Sequence, residues 1–232
     1  MKKIGIIGAM DEEVAKLKEC MEEVTVVSRA GMDFYQGRLN KKDVVVVRSG
    51  IGKVNAACCT QILIDIFEVD AIINTGIAGS LKAEINIGDV VISTDVLHHD
   101  MNAVEFGYKK GQIPRMDVYS FEADESLRQL AKEANQRVNA DVDVFEGRIV
   151  SGDQFIADDT RKWEIRSDFD GYCTEMEGAA IGQCAYLNKI PFVVIRAISD
   201  KADHSANMDY PSFEKMAIEN SVKLMQEMTS LM

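Results

Sequence analysis

Short, nearly continuous apolar runs most narrow the fold open to this chain: Lys3 to Gly8, Ala71 to Asn74 and Phe192 to Ile198. Each is too short for an ordinary globular helix, and none alternates polar with apolar residues like a strand with one wet face. Such runs read as strands buried on both sides, in a sheet covered by helices. Helical patterns lie between them. Asp11-Glu12-Glu13 opens one through Val14, Leu17 and Met21, with acids where the helix dipole favours them. Gly50-Ile51-Gly52-Lys53 leads into a second, Ala123 to Val138 form a third, Met176 to Leu187 a fourth, and Pro211 onward a fifth. Phe34 to Leu39 and Asp43 to Arg48 read as a hairpin about Asn40-Lys41-Lys42. Asp89 to Thr94 and Gly147 to Ser151 add strands, and His98 to Ser120 reads as a long functional or interface loop.

The expected architecture is α/β: a mixed, mostly parallel central sheet flanked by helices on both faces. With only three prolines and no biased tract, one domain over residues 1–232 is expected. Ligands of such sheets sit beyond the carboxyl ends of the strands. Five such ends carry polar or glycine-rich residues here: Met10 to Glu13, Ser49 to Gly52, Thr75 to Gly79, Ser151 to Ile156 and Arg196 to Asp200.

Composition excludes several classes of partner. A formal net charge of −12 opposes binding to a phosphate backbone, so nucleic acid is not expected. No stretch approaches the roughly 18 apolar residues of a membrane helix, and no membrane partner is expected. The basic and apolar start is cut short by Asp11-Glu12-Glu13 without a cleavage site, unlike a secretory leader. The five cysteines form no CxxC pair and read as small buried hydrophobes in a reducing compartment, which points to the cytoplasm. Gly5 to Met10 lacks the dinucleotide glycine spacing and no Walker loop is present. Adjacent His98 and His99 on an extended segment point opposite ways. Neither a cofactor nor a metal is expected.

Chemistry concentrates near the C-terminus. Val193 to Asp200 is an apolar strand that nonetheless carries Arg196 and ends on Ser199 and Asp200. Thr174-Glu175-Met176-Glu177 puts two carboxylates beside small apolar residues. Buried charge is costly unless paired or used, and burial moves carboxyl pKa values toward the working range. Glu13 reads equally as a surface charge at a helix start. Glu175 and Glu177, two apart on a helix, would point to different sides, so at most one is expected to face a shared site. Arg196 needs a nearby carboxylate. Phe155 follows Ser151-Gly152-Asp153-Gln154 after a strand, where an aromatic can stack on a planar ligand. Trp163 reads as packing.

The chain resembles the bacterial methylthioadenosine/S-adenosylhomocysteine nucleosidases of the nucleoside phosphorylase superfamily. The resemblance runs along nearly all of it. Its motifs are Ile4 to Val14, Ser49 to Val54, Ile73 to Gly76, His99-Asp100, Phe106-Gly107-Tyr108, Gly111 to Pro114, Val150 to Asp153, Phe155-Ile156, Glu175-Met176-Glu177 and Arg196 to Asp200. It implies a nucleoside phosphorylase-like fold and hydrolysis of a purine–ribose bond, with methionine salvage and recycling of S-adenosylmethionine by-products as the setting. Asp200 would be the general acid toward the purine and Ser199 would position it. Glu13 would be the base for water, ionised at a polar helix start, with Arg196 helping to hold the water. Anionic Glu177 would bind the ribose hydroxyls beside Met176 and Met10. Phe155 would stack on adenine, Ile156 read its edge through the backbone, and Ala78, Gly79 and Glu175 complete the lining. Ile51, Met208 and Tyr210 would wall the 5′-thioalkyl pocket. A homodimer would close that pocket with the neighbouring subunit's Phe106, Ile113 and Pro114.

The chain departs from that pattern at Ile77, where a serine is usual, at Tyr210, where phenylalanine is usual, and in two extra residues around Met116 to Tyr119. Two other readings stand beside it: a phosphate-dependent nucleoside phosphorylase, and an adenosine-binding module without catalysis. Glu13, and Asn74 where a phosphate-binding arginine would be expected, weigh against the first. Retention of both Glu13 and Asp200 weighs against the second.

Overall fold

The computed structural model describes the backbone of all 232 residues and every side chain except those of Asn207 and Met208. In chain order the elements are β1 (Lys3–Gly8), α1 (Asp11–Glu19), β2 (Glu22–Arg29), β3 (Met32–Leu39), β4 (Lys42–Arg48), α2 (Lys53–Asp65), β5 (Ala71–Ser80) and β6 (Val90–His98). There follow a 3₁₀ turn at Val104–Phe106, β7 (Phe121–Glu122), α3 (Glu125–Val138), β8 (Val144–Ser151), α4 (Asp159–Phe169), β9 (Cys173–Glu175), α5 (Gly178–Asn188), β10 (Phe192–Asp200) and α6 (Ala206–Leu231).

All ten strands belong to one mixed sheet. Its parallel pairings are β1–β4, β1–β5, β5–β10, β6–β8 and β8–β9, and the other five are antiparallel. Parallel pairing joins β1, β4, β5 and β10, which carry long apolar runs, and also links β6, β8 and the three-residue β9. The antiparallel share comes from the β2–β3–β4 meander and from strands folding back on β5 and β6. Because β10 pairs with both β5 and β6, the path β10–β6–β8–β9–β5 closes into a ring, and β1, β4, β3 and β2 extend from it. Helix α5 packs on this ring with α2 on top of it, while α6 packs on β10 and β5 with α1 and α3 beside it.

One break in the pairing makes the site possible. Along one edge of β5, β1 pairs as far as Asn74, and β9 takes over only at Gly79. Between them β5 has no neighbour on that side, so backbone groups there are open to side chains and ligands. Glycines 76 and 79 do not end the strand, as their punctuation suggests; β5 runs on to Ser80, buried throughout. They mark close approach instead. A Cβ on Gly76 would lie 2.5 Å from Glu13 Oε1, and one on Gly79 would lie 2.6 Å from Asp200 Oδ1.

Three elements carry no clear signal in the sequence. Strand β2 is a solvent-exposed edge, β9 has three residues, and α4 buries only Ile165 and Phe169. Trp163, on α4, is 67% exposed and packs into no core. Helix α6 begins five residues before Pro211, which lies inside it. Cys59, Cys173 and Cys184 are buried as small apolar residues, whereas Cys20 and Cys58 are exposed.

Candidate active site

A cavity of about 510 Å³ opens at the unpaired stretch of β5. All five strand-end segments reach it: Met10 and Glu13, Ile51, Ala78 and Gly79, Phe155 and Ile156, and Ser199 and Asp200 line its walls. The β9–α5 junction adds Glu175, Met176 and Glu177, and the start of α6 adds Tyr210. Ala9, Ile77, Gln154, Thr174 and Pro211 also line it without having been singled out as contacts. Their backbones flank the named residues, which was the one available signal. Met208 lies outside the described side chains.

Glu13 sits in the first turn of α1, yet it is 6% exposed, so the polar helix start expected for it is absent. One carboxylate oxygen accepts from the amides of Ala9 (2.6 Å) and Met10 (3.0 Å), and the other from Ile77 N at 3.2 Å. Burial raises its pKa, and nearby Arg196 together with these amides opposes the rise. The result is a carboxylate held rigidly and made more basic than usual.

Asp200 ends β10 across a β-bulge: Ile198 pairs with Ala78 and Asp200 with Gly79, leaving Ser199 extra. Bulges re-aim side chains, and here Ser199 and Asp200 both line the cavity. Asp200 accepts from Ser199 Oγ at 2.9 Å and from Ala202 N at 2.8 Å. Burial raises its pKa, with Asp203 and Asp209 adding to the effect, which favours the protonated acid.

Glu175 and Glu177 do not share a helix. Glu175 ends β9 and Glu177 is the N-cap of α5, so the chain turns between them and both residues line the cavity. Glu175 accepts from Arg196 Nη2 at 2.5 Å, from Gly178 N, from Glu177 N and from Ser151 Oγ. Burial alone would raise its pKa; the Arg196 charge and these donors more than reverse that, and Glu175 stays ionised. Arg196 is itself 2% exposed beneath the cavity floor, bound also to Asn74 Oδ1 at 2.5 Å, and does not line the cavity. Its carboxylate partner is Glu175, not Glu13.

Among the described residues no cation forms an ion pair with Glu177. Gly52 N donates to it at 2.7 Å, but burial and then the neighbouring Glu175 charge push its pKa up to about 8. This favours the protonated carboxyl over the anionic form that the resemblance implies. Its folded pKa lies above the ordinary 4.5, so the stability it contributes is complete at low pH and is lost as pH rises from about 4.5 through about 8. Glu177→Gln is therefore expected to flatten the fall in Tm between pH 6 and pH 9, measured by thermal denaturation. An unchanged slope would place that fall on other groups.

Phe155 stands at the mouth, its ring edge-on to Tyr210 at 5.8 Å between centroids, and Tyr210 donates its hydroxyl proton to Glu214 at 3.0 Å. Phe106, Ile113 and Pro114 lie away from this cavity within the chain; Phe106 is 83% exposed. His98 faces Gln183 at 3.0 Å, and buried His99 has no partner at either ring nitrogen among the described residues.

A family model described as the phosphorylase superfamily matches residues 3–230. A curated 5′-methylthioadenosine/S-adenosylhomocysteine nucleosidase of an Exiguobacterium species is 46% identical over 98% of this chain and 97% of its own. The protein of the same name from Staphylococcus carnosus is 44% identical over 97% and 98%. The solved structure of the Neisseria meningitidis nucleosidase, in complex with methylthio-immucillin-A, superposes with a TM-score of 0.96 at 42% identity over the whole of both chains. With this identity sustained from end to end, the chain belongs to the 5′-methylthioadenosine/S-adenosylhomocysteine nucleosidases of the phosphorylase superfamily.

Proposed function

We propose that this chain hydrolyses the purine–ribose bond of 5′-methylthioadenosine and S-adenosylhomocysteine, releasing adenine and the free 5-thioribose. 5′-Deoxyadenosine is a further candidate substrate of the same shape. The observation that carries the reading is a pair of buried carboxyls with separate surroundings, Glu13 at the start of α1 and Asp200 at the end of β10, on one largely apolar cavity. A purine anion leaves poorly. Asp200, its proton favoured by burial, donates to the five-membered ring of the base as the bond breaks. Glu13 takes a proton from water, which attacks the sugar carbon as positive charge develops there. Arg196 acts through Glu175 and the local field rather than by touching water. Glu177 exchanges hydrogen bonds with the ribose hydroxyls, and positive charge on the sugar favours its ionised form. Phe155 stacks on the base, and Met10, Ile51, Met176 and Tyr210 wall the sugar and the thioalkyl group.

Phosphorolysis fits the cavity less well. Among the described residues no lysine, arginine or histidine lines it, while three glutamates and an aspartate do. Phosphate would meet carboxyl-bearing walls that offer it no cation. The deciding experiment is incubation with 5′-methylthioadenosine with and without inorganic phosphate, identifying both products. Equal adenine release with free methylthioribose is expected; release only with phosphate, alongside a sugar phosphate, would make the chain a phosphorylase. No adenine in either would favour a binding module.

Gly76→Ala is expected to lower kcat about 10²-fold, because its methyl would displace Glu13 Oε1 and misplacement by an ångström has costs of that order. An unchanged kcat would mean that Glu13 need not sit where it does. The working unit is a homodimer, in which Phe106, Ile113 and Pro114 of one subunit close the other's thioalkyl pocket. The exposure of Phe106 (83%) and of Val54 (75%) beside Ile51 supports this. Sedimentation should read twice the chain mass. The setting is cytoplasmic, in methionine salvage and the recycling of S-adenosylmethionine by-products.

A further inference from the structure

Ile51 and Phe155 both line the cavity, yet they are 54% and 51% exposed, so packing holds them only in part. Their backbones must be held some other way as well. Both segments end at one closed circuit of polar contacts. Lys53 N donates to Asp153 Oδ1 at 2.9 Å, Asp153 N donates to Asp100 Oδ2 at 3.1 Å, and Lys53 Nζ donates to both oxygens of Asp100 at 2.6 Å. The circuit ties the start of α2, the loop after β8 and the segment after β6 to one another.

We propose that Lys53 and Asp100 are positioning residues of the active site, clasping the Ile51 and Phe155 walls and the Gly52 amide in register around the substrate. Neither residue lines the cavity. Gly52 adopts a positive φ of 96°, and a Cβ there would lie 3.2 Å from Asp153 Oδ1, so the turn and the circuit are built against each other. That turn aims two successive amides in different directions: Gly52 N at Glu177 and Lys53 N at Asp153. Both are first-turn amides that α2 cannot pair internally. The Lys53–Asp100 pair is only about one-fifth exposed on either side, which limits screening by salt. Partial burial raises the Asp100 pKa, and Lys53 with the Asp153 amide more than reverses it, so Asp100 stays ionised. Releasing Lys53 frees Asp100 and Asp153 together. The walls then sample positions that the substrate must select from.

This inference rests on the nucleosidase reading for its kinetic arm only. Lys53→Met and Asp100→Asn are each expected to raise KM for 5′-methylthioadenosine about tenfold, with kcat changed by less than about threefold. The double variant should be no worse than either single one, because both break the same circuit. Lys53→Arg should recover part of the loss. Hydrogen exchange supplies a substrate-free readout: residues 50–53 and 151–156 should exchange faster in Lys53→Met while the amides of β5 and β10 do not. Wild-type protein that releases no adenine would defeat the nucleosidase reading and leave the exchange arm standing. Wild-type turnover with an unchanged KM in both variants, or unchanged exchange in the two segments, would overturn the clasp. A loss confined to kcat would overturn it too.

Discussion

Asp200→Asn is expected to lower kcat for 5′-methylthioadenosine by about 10²–10⁴-fold, the usual contribution of a placed general acid. The substitution keeps the shape and can keep the hydrogen bonds to Ser199 Oγ and Ala202 N, so the bulge and the cavity wall should survive. What it removes is the transferable proton that burial holds on the aspartate. Affinity for adenine should stay within about threefold of the wild type, since the walls that stack on the base are untouched. Steady-state kcat measured beside adenine binding separates the two effects. A kcat near that of the wild type would remove Asp200 as the acid.

Glu13→Gln should produce a loss of similar size, about 10²–10⁴-fold in kcat, by removing the acceptor for the water's proton. Here the structural side effect is larger. Glu13 takes three backbone amides on two oxygens, and a glutamine must turn its NH₂ toward at least one of them. Some loss of Tm is therefore expected as well. Glu13→Asp distinguishes the causes, because it keeps the charge and withdraws it from Ile77 N. If Glu13→Gln remains fast, Glu13 is not the base, and the water must be activated elsewhere.

Much of this site was legible in the chain because strand ends can be read without knowing their neighbours. Met10, Glu13, Phe155, Ser199 and Asp200 each follow an apolar run, and each lies on the cavity. Other features were misread for identifiable reasons. Glu175 and Glu177 looked like first-turn acids because a three-residue strand leaves no periodicity to detect. The glycines of Thr75 to Gly79 looked like a strand end, since sequence alone does not separate a turn glycine from one that another side chain approaches closely. Strand β2, exposed except at half-buried Val27, has no buried apolar face to betray it.

What the sequence by itself determined is the set of parts: buried strands, the covering helices, and a short inventory of carboxyls, one arginine and aromatics at their ends. Those follow from local periodicity and from the cost of burying charge, which act over a few residues. Only the tertiary structure decided how the charges divide among the parts. Arg196 meets Glu175 because β10 and β9 flank β5, and the same pairing leaves Glu177 with no ion pair of its own among the described residues and its pKa raised by burial and by Glu175. Protonation in a buried cluster depends on which groups share the cavity and which lie behind its wall, and those distances are set by strands far apart in the chain.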